Sequence, residues 1–104
     1  MANPALTEAV YYILLSLIEP MHGYGIMQNV EKLSNGRVKL AAGTLYGAIN
    51  TLIEKGWIKA LPECKDSRKK EYIITGDGKS VLGDEIVRLQ ELLNNGKRII
   101  GGAE

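Results

Sequence analysis

The sequence predicts a mainly α-helical fold with one small β-hairpin. Apolar residues recur at helical spacing in three stretches within residues 6–55, and again in a long stretch after residue 76. Two short strand-like runs lie between the third and the last of these stretches, and they flank a basic segment. These observations divide the chain into an N-terminal part, residues 1–75, and a C-terminal helix with its tail, residues 76–104.

The first helix is predicted from residue 6 onward by a broad apolar face. That face comprises Leu6, Val10, Ile13, Leu14, Leu17 and Ile18. Pro20 ends the helix because its ring cannot continue the hydrogen-bonded ladder. Tyr11, Tyr12 and Leu15 lie outside the apolar face, so we expect these large side chains to form a second packing surface.

The second helix is predicted over residues 23–34, with Ile26, Val30 and Leu33 on its apolar side. The pair Asn35-Gly36 stops it, because these residue types tolerate the left-handed conformation that ends helices. A short link then leads into the third helix.

The third helix, residues 43–55, carries the main functional signal. Its buried stripe comprises Leu45, Ile49, Leu52 and Ile53. Its outer face comprises Thr44, Gly47, Asn50 and Thr51. An ordinary solvated helix carries charge on its outer face, whereas a helix that enters the major groove of DNA needs slim hydrogen-bonding groups that let its backbone approach the bases. The pattern therefore predicts a DNA-reading helix, which Gly56 ends.

The two strand-like runs follow at once. The first covers residues 57–61 and stops at Pro62, which cannot donate a hydrogen bond to a neighbouring strand. The second covers residues 71–75, with Tyr72 and Ile74 on one face. Together they predict a hairpin.

The segment between these strands is basic. It contains Lys65, Arg68, Lys69 and Lys70 against one acidic residue, Asp66. Because the whole chain has a net charge of only +1, DNA binding has to come from such local clustering. A short basic run by itself is more typical of a solvated turn, but its position after a DNA-reading helix indicates a wing that contacts phosphate.

The last helix starts at Thr75, which can cap it, and Asp77 suits the positive end of its dipole. Its apolar residues repeat at spacings of four, three and four, and they are Leu82, Ile86, Leu89 and Leu93. This a/d seam is too short to separate a dimeric coiled coil from a helix packed on its own core. We favour a seam between subunits, because the preceding elements already cover one another. Residues 96–104 are expected to fray.

Size and composition limit the class of protein. With 45% hydrophobic and 24% charged residues, the chain is neither disordered nor collagen-like. At 104 residues it is one small domain, and such a domain buries only about 60–65% of the surface that its unfolded chain exposes. This marginal core favours association with a second subunit.

Export and membrane insertion are not predicted. The single cysteine, Cys64, cannot form an internal disulfide, which fits a reducing compartment. We interpret it as an inert thiol, although the cation of Lys65 beside it leaves a redox-sensing role open. The longest apolar stretch, residues 10–18, is about half the length that spans a bilayer. Glu8 precedes it where a secretory signal carries positive charge.

No cofactor, metal or catalytic site is predicted. Gly78-Lys79-Ser80 resembles the end of a phosphate-binding loop, but Ile73 stands where that loop needs a glycine. His22 is the only histidine and has no partner at metal-ligand spacing, so we expect it to make a local hydrogen bond. It also lies in a different predicted element from Cys64, which disfavours nucleophilic catalysis by the pair. The sequence thus favours binding over enzymatic activity.

Four motifs in this order and spacing resemble the PadR family of transcriptional regulators. They are His22-Gly23-Tyr24-Gly25-Ile26, Gly43-Thr44-Leu45-Tyr46, residues 52–56, and Lys69-Lys70-Glu71-Tyr72 with Thr75. The likeness covers about residues 6–90, and the length resembles the compact branch with a single C-terminal helix. It implies a winged helix-turn-helix homodimer in a bacterial cytoplasm that binds double-stranded DNA and represses a promoter, with a C-terminal dimerisation helix.

The resemblance also assigns residues. Thr44 and Tyr46 match the recognition-helix motif, and Lys69 and Lys70 match the basic stretch that enters the second wing strand. From their exposed or basic positions we add Gly47, Asn50 and Arg68 to these DNA-binding candidates. The first and last helices would contact each other across the two-fold axis, which makes dimerisation residues of Tyr11, Tyr12, Leu15, Leu82, Ile86, Leu89 and Leu93.

Two departures from the family pattern concern the start of the recognition helix. The family commonly has Ser-Pro before Gly-Thr-Leu-Tyr, whereas this chain has Ala41-Ala42 and loses a capping hydroxyl, typically worth about 1 kcal/mol. Gly47 stands where the family often has proline, which makes the start of the helix more flexible. Both changes lower the expected affinity for DNA.

The sequence leaves two alternatives open. Some family members bind planar hydrophobic compounds in a dimer-interface cavity, and Tyr11, Tyr12 and Leu15 would line one here, although packing on the partner's last helix is the simpler interpretation. The whole chain also fits a winged-helix module that binds an acidic protein partner through the same surface. Discrimination between a specific site and random duplex separates a DNA reader from that module.

Overall fold

The computed structural model describes residues 5–62 and 70–101. Within them the elements are, in chain order, α1 (Glu8–Ser16), β1 (Met21–His22), α2 (Gly23–Leu33), α3 (Ala42–Glu54), β2 (Ile58–Ala60), β3 (Glu71–Ile74) and α4 (Gly76–Ile100). The predicted mainly helical, winged helix architecture is confirmed.

The sheet has three antiparallel strands in the order β1-β3-β2, so β3 is central. The hairpin of β2 and β3 was predicted, and its register pairs Ile58 with Ile74. The third strand was not predicted. β1 pairs Met21 with Tyr72 and has only two residues, too few to show the alternation that identifies a strand in a sequence.

The first helix begins later and ends earlier than its apolar pattern. Thr7 caps it by accepting a hydrogen bond from the N–H of Val10 at 3.1 Å. It ends at Ser16, whose hydroxyl donates to the carbonyl of Tyr12 at 2.7 Å and accepts from the amide of Asn29 on α2 at 2.8 Å. Ile18 lies beyond the helix end and is 49% exposed, so its assignment to the buried face was wrong.

The second helix is bounded as the sequence predicted. His22 caps it, because its Nδ1 accepts from the N–H of Gly25 at 3.1 Å, which confirms a local hydrogen bond for this histidine. Asn35 and Gly36 end it with φ angles of 54° and 82°. Leu33 in its last turn is 41% exposed, so the apolar stripe stops short of it.

One hydrophobic core joins all four helices and the sheet. Its buried members are Ile13, Leu14, Leu17, Ile26, Val30, Leu45, Ile49, Leu52, Ile58, Tyr72, Ile74, Val81 and Leu82. Tyr72 and Ile74 are both buried, which confirms that they share a face of β3. Because each element contributes to this core, the relative placement of the helices and the wing strands is set by packing.

The last helix is longer than predicted. Thr75 caps it by accepting from the N–H of Gly78 at 3.1 Å, as expected. The helix continues through Gly96 to Ile100, and the N–H of Gly101 still bonds the carbonyl of Lys97 at 2.9 Å, so fraying from residue 96 was wrong. Residues 102–104 lie outside the described part. Of the described helices, α4 included, none has the length and apolar character needed to cross a membrane.

Candidate nucleic-acid interface

The third helix presents the outer face that the sequence predicted. Leu45, Ile49 and Leu52 are buried in the core. Thr44, Gly47, Asn50 and Thr51 are all exposed. Ile53, placed by the periodicity in the buried stripe, is 38% exposed, because at about 100° per residue it lies at the edge of the face that Leu45, Ile49 and Leu52 form. A small, uncharged polar surface therefore lies on α3 opposite its anchor in the core.

The hydroxyl of Thr51 is already engaged within the helix. It donates to the carbonyl of Gly47 at 3.1 Å, one turn back. Thr51 therefore offers its methyl group and an acceptor oxygen to the surroundings, whereas Thr44 near the start of the helix retains a rotatable hydroxyl at an exposed position. This difference favours Thr44 over Thr51 as a hydrogen-bond donor to DNA.

The start of α3 has no side-chain cap. Ala41 occupies the N-cap position and makes no side-chain hydrogen bond to the helix, as the missing serine predicted. The first backbone N–H groups of a helix have no partner within it, and residues 42–44 are exposed. Such N–H groups at the positive end of a helix dipole suit a phosphate oxygen.

The end of α3 is tied directly to the wing. Gly56 reverses the chain with a φ of 76°, a conformation that favours glycine. The N–H of Trp57 then bonds the carbonyl of Leu52 at 3.0 Å. The ammonium group of Lys55 lies 5.1 Å from the centre of the Trp57 ring, a cation–π distance. The wing strand β2 thus starts in a fixed direction from α3.

The basic side of the wing is only partly within the described residues. Lys70 is exposed immediately before β3. Arg68, Lys69 and Cys64 lie outside the described part. The base of the wing is closed by a hydrogen bond from the N–H of Leu61 to the carbonyl of Glu71 at 2.9 Å, which brings Lys70 close to the end of β2.

Tyr46 occupies a junction rather than an open surface. It is 44% exposed, and its ring lies against Gly23, the first residue of α2. Burial raises the pKa of the Tyr72 phenol on β3, and the nearby Tyr46 adds to the rise. Sequence reasoning missed Gly23 as part of this arrangement. Its one signal was a glycine at the start of a helix, where Ala is the better helix former.

The predicted dimerisation residues fall into two groups. Tyr11, Tyr12 and Leu15 are half-buried and pack against the core of their own chain, as does Leu82, which is only 4% exposed. The other predicted seam residues are exposed, and they are Ile86, Leu89 and Leu93. Sequence reasoning also missed exposed apolar residues on the same helix, namely Val87, Leu92, Ile99 and Ile100.

A cavity of about 250 Å³ lies between α1 and the middle of α4. Tyr11, Tyr12 and Leu89 line it together with the ion pair of Glu85 and Arg88. Arg88 donates to the buried Glu85 carboxylate at 2.6 Å, and this hydrogen bond lowers the pKa of Glu85. The N–H of Leu6 also donates to that carboxylate at 3.3 Å. Leu15, the third residue predicted to line such a cavity, is not among its walls.

Comparison with known proteins agrees with this geometry. The sequence profile of the Transcriptional regulator PadR-like family matches residues 13–84. Among curated protein sequences, none matches this one significantly.

Solved structures support the same fold. A PadR-like transcription factor from Bacteroides fragilis is 28% identical, with a TM-score of 0.69 over 88% of this chain and 87% of that one. RosR from H. salinarum is 27% identical, with a TM-score of 0.65 over 83% and 76%. A PadR family transcription regulator from hypervirulent Clostridium difficile is 21% identical and matches in fold, with a TM-score of 0.70 over 88% and 97%.

Replacing Ala41 by serine should stabilise the protein. A serine hydroxyl at the N-cap would accept a hydrogen bond from the first turn of α3, which is worth about 1 kcal/mol and roughly 4–8 °C in Tm for a domain of this size. Thermal unfolding followed by circular dichroism measures the change. Ala41→Val is the control, because valine is as poor a cap as alanine. Equal Tm values for the two variants would contradict an uncapped helix.

Proposed function

Because the chain belongs to the PadR-like family of transcriptional regulators, we propose that it is a homodimeric repressor that binds an inverted-repeat operator. In this proposal residues 1–75 read DNA and residues 76–104 hold the dimer together. The protein acts in the cytoplasm and uses no cofactor. Repression follows from occupancy of the promoter by the bound dimer.

The observation that carries the proposal is the outer face of α3. Thr44, Gly47 and Asn50 are exposed on a helix whose other side is anchored in the core. Slim polar side chains let a helix lie deep in the major groove, and an asparagine can bond the edge of an adenine in two places. We assign base contacts to these residues and a contact at the edge of the groove to Tyr46.

The wing provides the electrostatic part of binding. Arg68, Lys69 and Lys70 follow one another directly before β3, and Lys70 is exposed. Contacts from such residues to phosphate position a protein on the duplex without reading its sequence. The uncapped first turn of α3 supplies further donors to phosphate at the other end of the reading surface.

The dimer interface is assigned to α4 with the first helix of the partner. The exposed apolar residues Ile86, Leu89 and Leu93 continue along the helix from the core residue Leu82. Tyr11, Tyr12 and Leu15 supply the facing surface on α1. A two-fold dimer places two copies of α3 about one DNA turn apart, roughly 34 Å, which is why the operator should be an inverted repeat.

The first experiment is selection of bound duplexes from a random-sequence DNA pool, followed by sequencing. Recovery of an inverted repeat with half-sites about one turn apart is the expected result. A specific reader prefers its site to random duplex by about 10³-fold or more, and a winged-helix module that binds a protein does not. No enrichment at low salt, from a folded dimer, would favour that module and overturn the proposal.

Removal of the wing charges should weaken binding to all duplexes alike. For Lys69→Ala with Lys70→Ala, the slope of log affinity against log salt should flatten by about 0.9 for each phosphate that is no longer neutralised. Fluorescence anisotropy at several salt concentrations measures it. The control is Lys97→Ala with Arg98→Ala, which removes equal charge about 30 Å along α4 from its start. An unchanged slope in the wing variant would remove the wing from the interface.

A charge on the exposed seam should separate the subunits. Leu93→Glu places a carboxylate in the proposed interface, and we expect at least a thirtyfold weaker dimer, or about 2 kcal/mol. The monomer should stay folded, since Leu93 is 51% exposed within one chain. Analytical ultracentrifugation gives the dissociation constant. Asn95→Glu adds the same charge nearly opposite on the helix, and an equal loss there would argue against this seam.

The cavity beside Tyr11 and Tyr12 is the proposed site of a small hydrophobic effector. Two phenol rings with centroids 5.8 Å apart stand on one wall, and the ion pair of Glu85 and Arg88 on α4 stands on the other. A ligand at 100 times its Kd stabilises a protein by about 2.7 kcal/mol, so a planar dye that binds here should raise the Tm. Tyr12→Ala should abolish that rise. If no dye in such a screen raises the Tm, the assignment of this cavity as an effector site is wrong.

A further inference from the structure

We propose that Gly23 is a positioning residue for DNA recognition. Because it has no side chain, it seats the Tyr46 ring between α2 and β3, and this seat fixes α3 relative to the wing. The inference rests on the proposed function, since it concerns how the same surface distinguishes one duplex from another.

The space beside Gly23 is filled by the tyrosine ring. A Cβ built on Gly23 would lie 2.8 Å from Cζ of Tyr46 and 3.2 Å from its Cε1, and still closer to the hydroxyl oxygen. Real Cβ atoms essentially never approach another heavy atom within 3.0 Å. The ring and a side chain at position 23 therefore exclude each other.

Backbone conformation does not explain this glycine. The glycines with a positive φ in the described part of the chain are Gly36 and Gly56, and Gly23 is not one of them. Inside a helix, glycine is about 1 kcal/mol less favourable than alanine. At the first residue of α2 glycine therefore brings no advantage in helix propensity, and what it provides instead is room for the Tyr46 ring.

The Tyr46 ring lies among α2, α3 and β3, whose relative positions must be fixed for α3 and the wing to contact DNA together. Tyr46 belongs to the second turn of α3, next to Gly47 on the reading face. Its phenol lies near enough to Tyr72 of β3 to contribute to the raised pKa of that residue, and Lys70 directly precedes β3. β3 in turn pairs Glu71 with His22, the residue directly before Gly23. One ring therefore lies where α2, α3 and the central wing strand meet.

Loss of the seat should affect specificity more than stability. Tyr46 is 44% exposed, so an added methyl group at position 23 can displace its ring toward solvent without opening the core. The orientation of α3 against the wing would then be less restricted. Base contacts depend on that orientation and distinguish one duplex from another, whereas the affinity for random duplex comes from phosphate contacts, which carry no sequence information.

The test is Gly23→Ala, with Gly76→Ala as the matched control. Gly76 is also the first residue of a helix, and a Cβ there meets nothing within 4 Å. We expect Gly23→Ala to bind the selected operator about tenfold more weakly, while its affinity for random duplex and its Tm stay close to those of the wild type. The control should leave both affinities unchanged, with at most a small rise in Tm from the better helix propensity of alanine.

Two further measurements isolate the route through Tyr46. In a Tyr46→Ala background, Gly23→Ala should have no additional effect on operator affinity, because the ring to be displaced is gone. In the free protein, the pKa of Tyr72 followed by NMR should fall in Gly23→Ala, as Tyr46 moves away from it. This second readout does not depend on DNA.

The outcomes separate this inference from the proposed function. If the wild type discriminates its operator but Gly23→Ala binds it equally well, the positioning role is overturned and the DNA reader stands. An equal loss in the Tyr46→Ala background would also overturn it. If the wild type prefers no duplex, the proposed function fails and the role in recognition fails with it, whatever the pKa of Tyr72 shows about the seat.

Discussion

The burial of one side of α3 is the constraint on which the rest of the molecule depends. Leu45 and Ile49 have no exposed surface, and full burial of such side chains is worth about 1.5–3 kcal/mol each. Because this buried side holds the helix in place, the opposite side needs no large side chains for packing. Gly47, Asn50 and Thr44 can then serve a surface that another molecule approaches, because they are not needed to hold the helix in place.

Hydrogen bonds to backbone carbonyls connect the end of α3 to the wing and to the last helix. The hydroxyl of Thr75 donates to the carbonyl of Gly56 at 2.6 Å, and the N–H of Thr75 donates to the carbonyl of Trp57 at 2.9 Å. The N–H of Ile74 donates to the carbonyl of Leu17, the residue directly after α1, at 2.8 Å. Thr75 therefore joins the end of α3, the wing and the start of α4 in one residue.

The last helix has two roles along its length. Its first turns belong to the core of the chain through Val81 and Leu82. The buried Glu85, which forms an ion pair with Arg88, is the last buried residue of this part. From Ile86 onward its apolar side chains are exposed. An exposed apolar surface of this kind is typical of a site where a protein meets a partner.

The sequence by itself determined the order of the four helices and the hairpin, the helix boundaries at Asn35-Gly36 and Gly56, the cap at Thr75, and the exposed face of α3. These features follow from local chemistry: side-chain periodicity, tolerance of positive φ, and hydrogen bonds between neighbours in the chain. The absence of a side-chain cap at the start of α3 likewise followed from the residue type at one position, Ala41.

The tertiary structure decided what depends on residues far apart in the chain. The two-residue strand β1 exists because β3 offers it a partner, and Ile53 and Ile18 are exposed because the core ends before it reaches them. The four-three-four repeat predicted one seam, yet Leu82 lies in the core and Leu93 outside it, since spacing reports the side of a helix and not what covers that side. Gly23 and Tyr46 are 23 positions apart, and only folding brings the ring against the glycine.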